Sequence, residues 1–319
     1  MKRFLKIIAA LVAVLAAVYF LGPKPAAPNY NNNLIQVPSD PAALEALIRS
    51  KEAAHKVKPD NEARIVWAND STKAKTPYVI VYLHGFSASQ EEGNPVHRNI
   101  AKQFGCNMYL ARLSEHGIDT IDPLVNMTAT SLWESAKEAY AIGKQLGDKV
   151  ILMGTSTGGT VALELASNFE DVAGLVLYSP NIAINNPSAF LSNNPWGLQI
   201  ARMVIGGKEN IIKNKPPEFK KYWNDHYRLE AIVELQELLE TTMIPSHFNK
   251  IKCPILTLYY FKDEKNQDPV VKVSAMKEMF AAVATPANLK RMVAVPEAGN
   301  HVLASPIQSN DIVTVEKET

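Results

Sequence analysis

VILMGTSTGG, residues 150–159, runs directly into TVALELASNF, residues 160–169. The first four residues are apolar without alternation, the mark of a strand buried on both faces. The last ten place apolar side chains three and four apart, the mark of a helix. Between them lies Gly154-Thr155-Ser156-Thr157-Gly158, which fits G-x-S-x-G. Alone that pattern is weak, because Gly and Ser are common, and a glycine-rich turn with a solvated serine would also carry it. The setting decides otherwise. A strand, a sharp turn bearing serine and a helix make up a nucleophile elbow. Such a turn forces the serine backbone into a strained conformation. Side chains two residues to either side would then strike neighbouring elements, so Gly is needed at both. Gly159 lets the helix pack close to the sheet. The helix N-terminus turns its free N–H groups toward the serine, where negative charge develops in acyl transfer.

Working outward, strands and helices alternate. Upstream, Tyr78–Leu83 (YVIVYL) reads as a doubly buried strand, Asn94–Phe104 as a helix, Met108–Leu113 as a strand and Ser131–Leu146 as a helix. Downstream, Val172–Tyr178 reads as a strand. Ile255–Tyr260, Ser274–Val283 and Arg291–Val295 then read as strand, helix and strand. That alternation predicts an α/β fold with a mostly parallel sheet and helices on both faces. Strands stop between about Ile182 and Lys250. Polar turns (NNPSAF, SNNPWG) and helical stretches such as Glu230–Glu240 fill this segment. It is too patterned for a simple loop, and it reads as an inserted helical cap spanning about 182–250.

Other residues complete the chemistry that a serine at an elbow needs. His84-Gly85-Phe86 follows YVIVYL. The chain is expected to turn there so that the N–H groups of Phe86 and Thr157 face a substrate carbonyl oxygen and stabilise the oxyanion. The His84 side chain reads as a brace for that loop. Of seven histidines, only His301 follows the last strand, after the turn Glu297-Ala298-Gly299-Asn300, and it is the expected general base. His55 and His97 fall on outer elements. His116 falls in a loop near the mouth, and His226 and His247 fall in or just after the cap, within reach of a substrate. The acid that orients the base should follow ILTLYY. Asp268 is preferred because Pro269, Val270 and Val271 carry the chain back into the fold. Asp263 sits in the charged run KDEK and is the competitor, with Glu264 third.

YLHGF, GTSTGG, a strand-loop acid and GNH occur in the order Ser, Asp, His, and in this the chain resembles the α/β-hydrolase family. Leu110–Asp119 (LARLSEHGID) resembles the L-x-G-H-G segment of monoacylglycerol-lipase-like and carboxylesterase-like members, with Glu115 in place of the glycine. The resemblance spans roughly Lys75 to Ala304. It implies an eight-stranded sheet and no metal or organic cofactor. The family also contains peptidases, thioesterases and C–C bond hydrolases, so fold alone does not name the substrate. Ser156 at the elbow, where haloalkane dehalogenases carry Asp, argues against that chemistry. The expected reaction is hydrolysis of a carboxylic ester through an acyl-enzyme on Ser156. Phe190, Leu191, Trp196, Tyr222, Trp223 and Tyr227 of the cap are candidates to cover an acyl chain, Trp196, Trp223 and Tyr227 foremost. Any one of them serves equally well in the cap's own core. A serine peptidase is the alternative, with Glu91, Glu92 or Glu115 holding a free amino terminus. A non-catalytic binding protein is the remaining reading.

The rest of the chain bounds these expectations. With 319 residues, 47% of them hydrophobic, it can bury a large core. Its 33 basic and 32 acidic residues leave no basic footprint for a nucleic acid. Cys106 and Cys253 open strands that three others should separate, so both read as buried free thiols. At the N-terminus, Lys2, Arg3 and Lys6 precede an uncharged run from Ile7 to Pro23. The run is about as long as the shortest spanning helix, roughly 17 residues. It contains neither an A-x-A cleavage site nor a cysteine to carry lipid. An uncleaved membrane anchor is preferred to a cleaved signal peptide. The basic start then stays inside and the catalytic domain, residues 29–319, lies on the non-cytoplasmic side. GPKPAAPNYNNN, residues 22–33, has linker composition, and residues 1–28 are expected to take no part in the fold.

Overall fold

The structure, a computed structural model, describes residues 1–319. After an N-terminal helix α1 (Lys2–Phe20), the chain forms α2 (Pro41–Ala53), β1 (Arg64–Val66), β2 (Thr76–Leu83), α3 (Val96–Gln103) and β3 (Asn107–Leu110). Next come α4 (Ala129–Leu146), β4 (Gly147–Thr155), α5 (Thr157–Asn168) and β5 (Val172–Tyr178). The segment that follows holds α6 (Gly197–Ile205), β6 (Glu209–Ile211), α7 (Pro217–Tyr222), β7 (His226–Arg228), α8 (Leu229–Thr242) and α9 (Pro245–Phe248). The chain ends with β8 (Ile255–Tyr259), α10 (Val273–Ala282), β9 (Lys290–Ala294) and α11 (Ile312–Glu318).

The main sheet has seven strands in the order β1-β3-β2-β4-β5-β8-β9. Only β1 runs antiparallel to its neighbour; the other pairings are parallel. The expected eighth strand is absent. The element ahead of β1 is the helix α2, which starts at Pro41 and is capped by Asp40 accepting from the Ala43 N–H at 2.8 Å.

Alternate residues of β2 supply two cores. Val79, Val81 and Leu83 pack with Trp133 and Tyr140 of α4, with α5 and with α10. Ile80 and Tyr82 pack on the other face with α3, Met153 and Tyr178. This double burial is why the strand reads as an unbroken apolar run.

Three expectations need correction. Strands do not stop within 182–250, because β6 and β7 pair as a short antiparallel ribbon. Three residues are too few to leave a periodic signal. The end of that segment also belongs to the body, since Ala231, Leu235, Leu238 and Leu239 of α8 join the larger core. Residues 22–33 are docked, not free. Trp133 Nε1 donates to the Asn31 carbonyl at 2.8 Å. Buried Lys137 donates to Asn31 Oδ1 at 2.8 Å and to the Asn33 carbonyl at 3.0 Å. Tyr30 shares a 2.7 Å hydrogen bond with Thr241 on α8. The asparagines that suggest a linker are here the acceptors that a buried ammonium requires. Cys106 is buried and Cys253 half-buried, and both are free thiols separated by β2, β4 and β5.

Candidate active site

Ser156 stands between β4 and α5 with φ 52° and ψ −117°, a strained backbone for any residue with a Cβ. The strain is held by neighbours. The Ser156 N–H donates to the Tyr178 carbonyl at 2.9 Å, and its carbonyl accepts from the N–H groups of Thr160 at 3.1 Å and Asn181 at 3.0 Å. The glycines are required by space. A Cβ on Gly158 would lie 1.8 Å from the Leu83 carbonyl oxygen, and one on Gly154 would lie 2.6 Å from the Gly158 backbone.

His301 and Asp268 come together from loops after β9 and β8. His301 Nδ1 lies 2.7 Å from Asp268 Oδ2. Asp268 Oδ1 accepts from the N–H groups of Val270 at 2.8 Å and Val271 at 3.0 Å. The Val-Val pair therefore orients the carboxylate through its amides. Burial alone would raise Asp268, but the His301 charge and these hydrogen bonds outweigh it and hold the carboxyl below its usual range. Burial would lower His301, but Asp268 outweighs it and the imidazole lies above its usual value. His301 Nε2 is buried and has no hydrogen-bond partner, so its lone pair is available. Asp263 lies elsewhere. It is in an exposed turn where its carboxylate accepts from the N–H groups of Lys265 and Asn266, both at 2.9 Å. Glu264 lies in the same turn beside Gln267.

The Phe86 N–H donates to no protein group. The Thr157 N–H is the first of α5 and has no acceptor within the helix. His84 braces this loop. Its Nδ1 donates to the Gly85 carbonyl at 2.9 Å and its Nε2 accepts from the Leu113 N–H at 3.0 Å. Burial holds it well below the usual imidazole value, so it is neutral.

Ser156 and His301 line a cavity of about 420 Å³. Phe86, Ile212, Phe219, Trp223, Tyr227 and Leu235 supply most of its apolar wall. Trp223 stacks on Phe219 with ring centroids 5.2 Å apart, and Tyr227 meets Phe86 edge-on at 4.9 Å. Trp196 lies outside this cavity, and its indole donates to the Val18 carbonyl at 2.9 Å. Phe190 and Leu191 are exposed, and Tyr222 reaches Asp60. His247 is taken by buried Glu164 at 2.6 Å and His226 by Asp225 at 2.9 Å, so neither faces the cavity. His97, expected on an outer element, is fully buried and bonded to the Gln90 carbonyl. A larger groove of about 660 Å³ between α2 and α4 holds Arg112 and Glu52, already paired, and its Ser131 and Ser135 hydroxyls donate to the Thr128 and Leu132 carbonyls.

Glu92 is the main feature that sequence reasoning did not place. It lines the same cavity, is almost wholly buried, and accepts from the Gly85 N–H at 2.5 Å. Burial pushes its carboxyl up to about 7, against the Gly85 amide, His301 and Trp223, which hold it down. The unfolded chain ionises this group near the usual value of about 4.3. Between there and pH 7 the folded state therefore binds the extra proton, and stability falls as pH rises. Glu92→Gln is expected to flatten that part of the stability–pH curve. Urea melts at pH 5 and pH 8 check this, and an unchanged slope would contradict it.

Comparison with known proteins agrees with this geometry. The sequence profile of the Alpha/beta hydrolase family matches residues 80–313. The chain is 26% identical over 194 residues to a thermostable monoacylglycerol lipase from Bacillus sp. (strain H-257), covering 60% of this chain and 72% of that one. Among solved structures, a metagenome-derived lipolytic enzyme described with LipS and LipT superposes with a TM-score of 0.65 at 18% identity, over 82% of this chain and 96% of that one. Est1E from Butyrivibrio proteoclasticus, with bound ferulic acid, superposes with a TM-score of 0.54 at 16% identity, over 80% and 91%. The profile covers most of the chain, from within β2 to the start of α11, and the chain is a hydrolase of the alpha/beta hydrolase family.

Proposed function

We propose that this protein hydrolyses carboxylic esters with an acyl chain, through an acyl-enzyme on Ser156. The observation that carries the reading is the Asp268–His301 pair, buried on one apolar cavity with Ser156. His301 Nε2 takes the Ser156 proton as Oγ attacks the carbonyl carbon. Asp268 holds Nδ1–H and stabilises the imidazolium. The N–H groups of Phe86 and Thr157 receive the oxyanion. His301 then returns the proton to the leaving alcohol, and water repeats the sequence on the acyl-enzyme. The walls of Trp223, Phe219, Tyr227 and Ile212 suit an aliphatic acyl group. The kinship with a monoacylglycerol lipase supports a glyceride-like ester. A peptidase reading gains nothing from Glu92, whose carboxylate is engaged by Gly85. Residues 29–319 act as the catalytic domain, with a cap that begins near residue 182 and ends where α8 packs into the body. The helix α1, wholly exposed with a mean hydropathy of 2.1, serves as an anchor that holds this domain outside the cytoplasm.

The detergent-solubilised full chain is tested on p-nitrophenyl esters of graded chain length and on an amino-acid p-nitroanilide. Ester turnover that rises with acyl length and then falls supports the reading. Turnover of the anilide alone would replace it with a peptidase.

A further inference from the structure

The cap carries an apolar surface that no part of the chain covers. Met203 is 76% exposed and Val204 80%, and Phe190, Ile200, Ile205 and Ile211 are exposed beside them in sequence. On α6 the exposed Ile200, Met203 and Val204 fall at i, i+3 and i+4, one face of one helix, and an uncovered apolar face of this kind marks an interaction surface. Its position says what it meets. The patch is joined to the C-terminal end of α1 by Trp196. The indole N–H of Trp196 donates to the Val18 carbonyl at 2.9 Å, and its backbone N–H donates to the Pro23 carbonyl at 2.9 Å. Gly22 is buried under the indole so closely that a Cβ there would lie 2.2 Å from Nε1. α1 has 19 residues and is about 28 Å long, enough for the hydrocarbon core of a bilayer. Lys24, next to the Pro23 that Trp196 holds, and Lys208 and Lys213, which follow α6 in sequence, are all exposed. Apolar side chains with lysines close in sequence match an acyl boundary under anionic headgroups.

We propose that the cap face formed by α6 and its flanks is seated in the same anionic phospholipid bilayer that α1 spans, with Trp196 clasping the two. The proposal rests on the reading of α1 as a membrane span. It deepens the functional reading, because the segment that follows α6 supplies wall to the catalytic cavity. Ile211 and Lys213 flank Ile212, which lines that cavity with Lys215. An acyl ester then passes from the bilayer to Ser156 along apolar wall.

The test uses the full chain with Cys106→Ala and Cys253→Ala, reconstituted in phosphatidylcholine–phosphatidylglycerol vesicles. A bimane is attached at Val204→Cys, at Val12→Cys in α1, or at Phe104→Cys, which is exposed on the end of α3. Doxyl-labelled lipid is expected to quench Val12 and Val204 severalfold more than Phe104. Quenching at Val12 with Val204 no different from Phe104 would overturn the seated cap and leave the anchor standing. Quenching at neither would remove the anchor as well. Protection of Val204 from aqueous iodide without lipid quenching would assign the patch to a second copy of the chain and overturn the proposal.

Discussion

Ser156→Ala is expected to lower kcat by about 10⁶-fold, the loss typical when the serine of an interdependent triad is removed. A residual rate of about 10³–10⁴ over water would remain from the oxyanion donors and substrate binding. The fold should survive. Alanine keeps the Cβ and so inherits the same φ of 52°. The backbone hydrogen bonds that enforce it come from Tyr178, Thr160 and Asn181 and do not involve the hydroxyl. The decisive measurement pairs turnover with labelling by a fluorophosphonate, which reports an activated serine independently of substrate choice. Loss of both with an unchanged melting curve identifies Ser156 as the nucleophile. A variant keeping more than about a hundredth of the activity would remove it, since no triad tolerates that loss so well.

Asp268→Asn is expected to cost about 10⁴ in kcat with little change in KM, because asparagine at the carboxylate position favours the wrong imidazole tautomer. Asp263→Asn should change kcat by less than about twofold, since its carboxylate only closes a surface turn. The two variants together discriminate the acid. Loss at Asp263 with activity kept at Asp268 would reverse the assignment. Stability carries a second signature of the pair. Asp268 is held below the usual carboxyl value, so its contribution is present above that usual value and disappears as pH falls through the lowered one. His301 is raised, so its contribution is complete below the usual imidazole value and is lost as pH rises through the raised one. The pairing therefore stabilises most between mildly acid and neutral pH. The Asn variant should lose that maximum, as urea melts across pH 4 to 9 would show.

Much of this was legible because a few elements carry their constraints in local sequence. The elbow is an example. Gly154 and Gly158 are forced by backbone contacts within a few residues or with the adjoining strand, so the pattern and its strand–helix setting are enough to find it. The preference for Asp268 over Asp263 also had a local cause, the apolar Val270-Val271 pair that carries the chain back into the fold, and the structure adds that the amides of this pair hold the Asp268 carboxylate. The cap was different. Trp196, Trp223 and Tyr227 look alike in sequence, yet two line the cavity and one clasps α1, because that outcome depends on where α7 and β7 fold back over Phe86. Glu92 gave no signal beyond an acidic pair after a turn. Its role depends on a 3-10 turn that brings it under Gly85, seven residues away.

The docked residues 29–33 also constrain how the chain can be processed. Asn31 and Asn33 are acceptors for Lys137, a side chain 1% exposed, and Asn31 also holds the indole N–H of Trp133. A proteolytic cut ahead of Asn29 would separate α1 from the rest of the chain and leave these bonds intact. A cut a few residues later would strip acceptors from a buried cation at about 1–3 kcal/mol each. Cleavage that leaves the core contacts of α4 intact is therefore confined to positions ahead of the asparagine strap, which ties the incoming chain to Trp133 and Lys137.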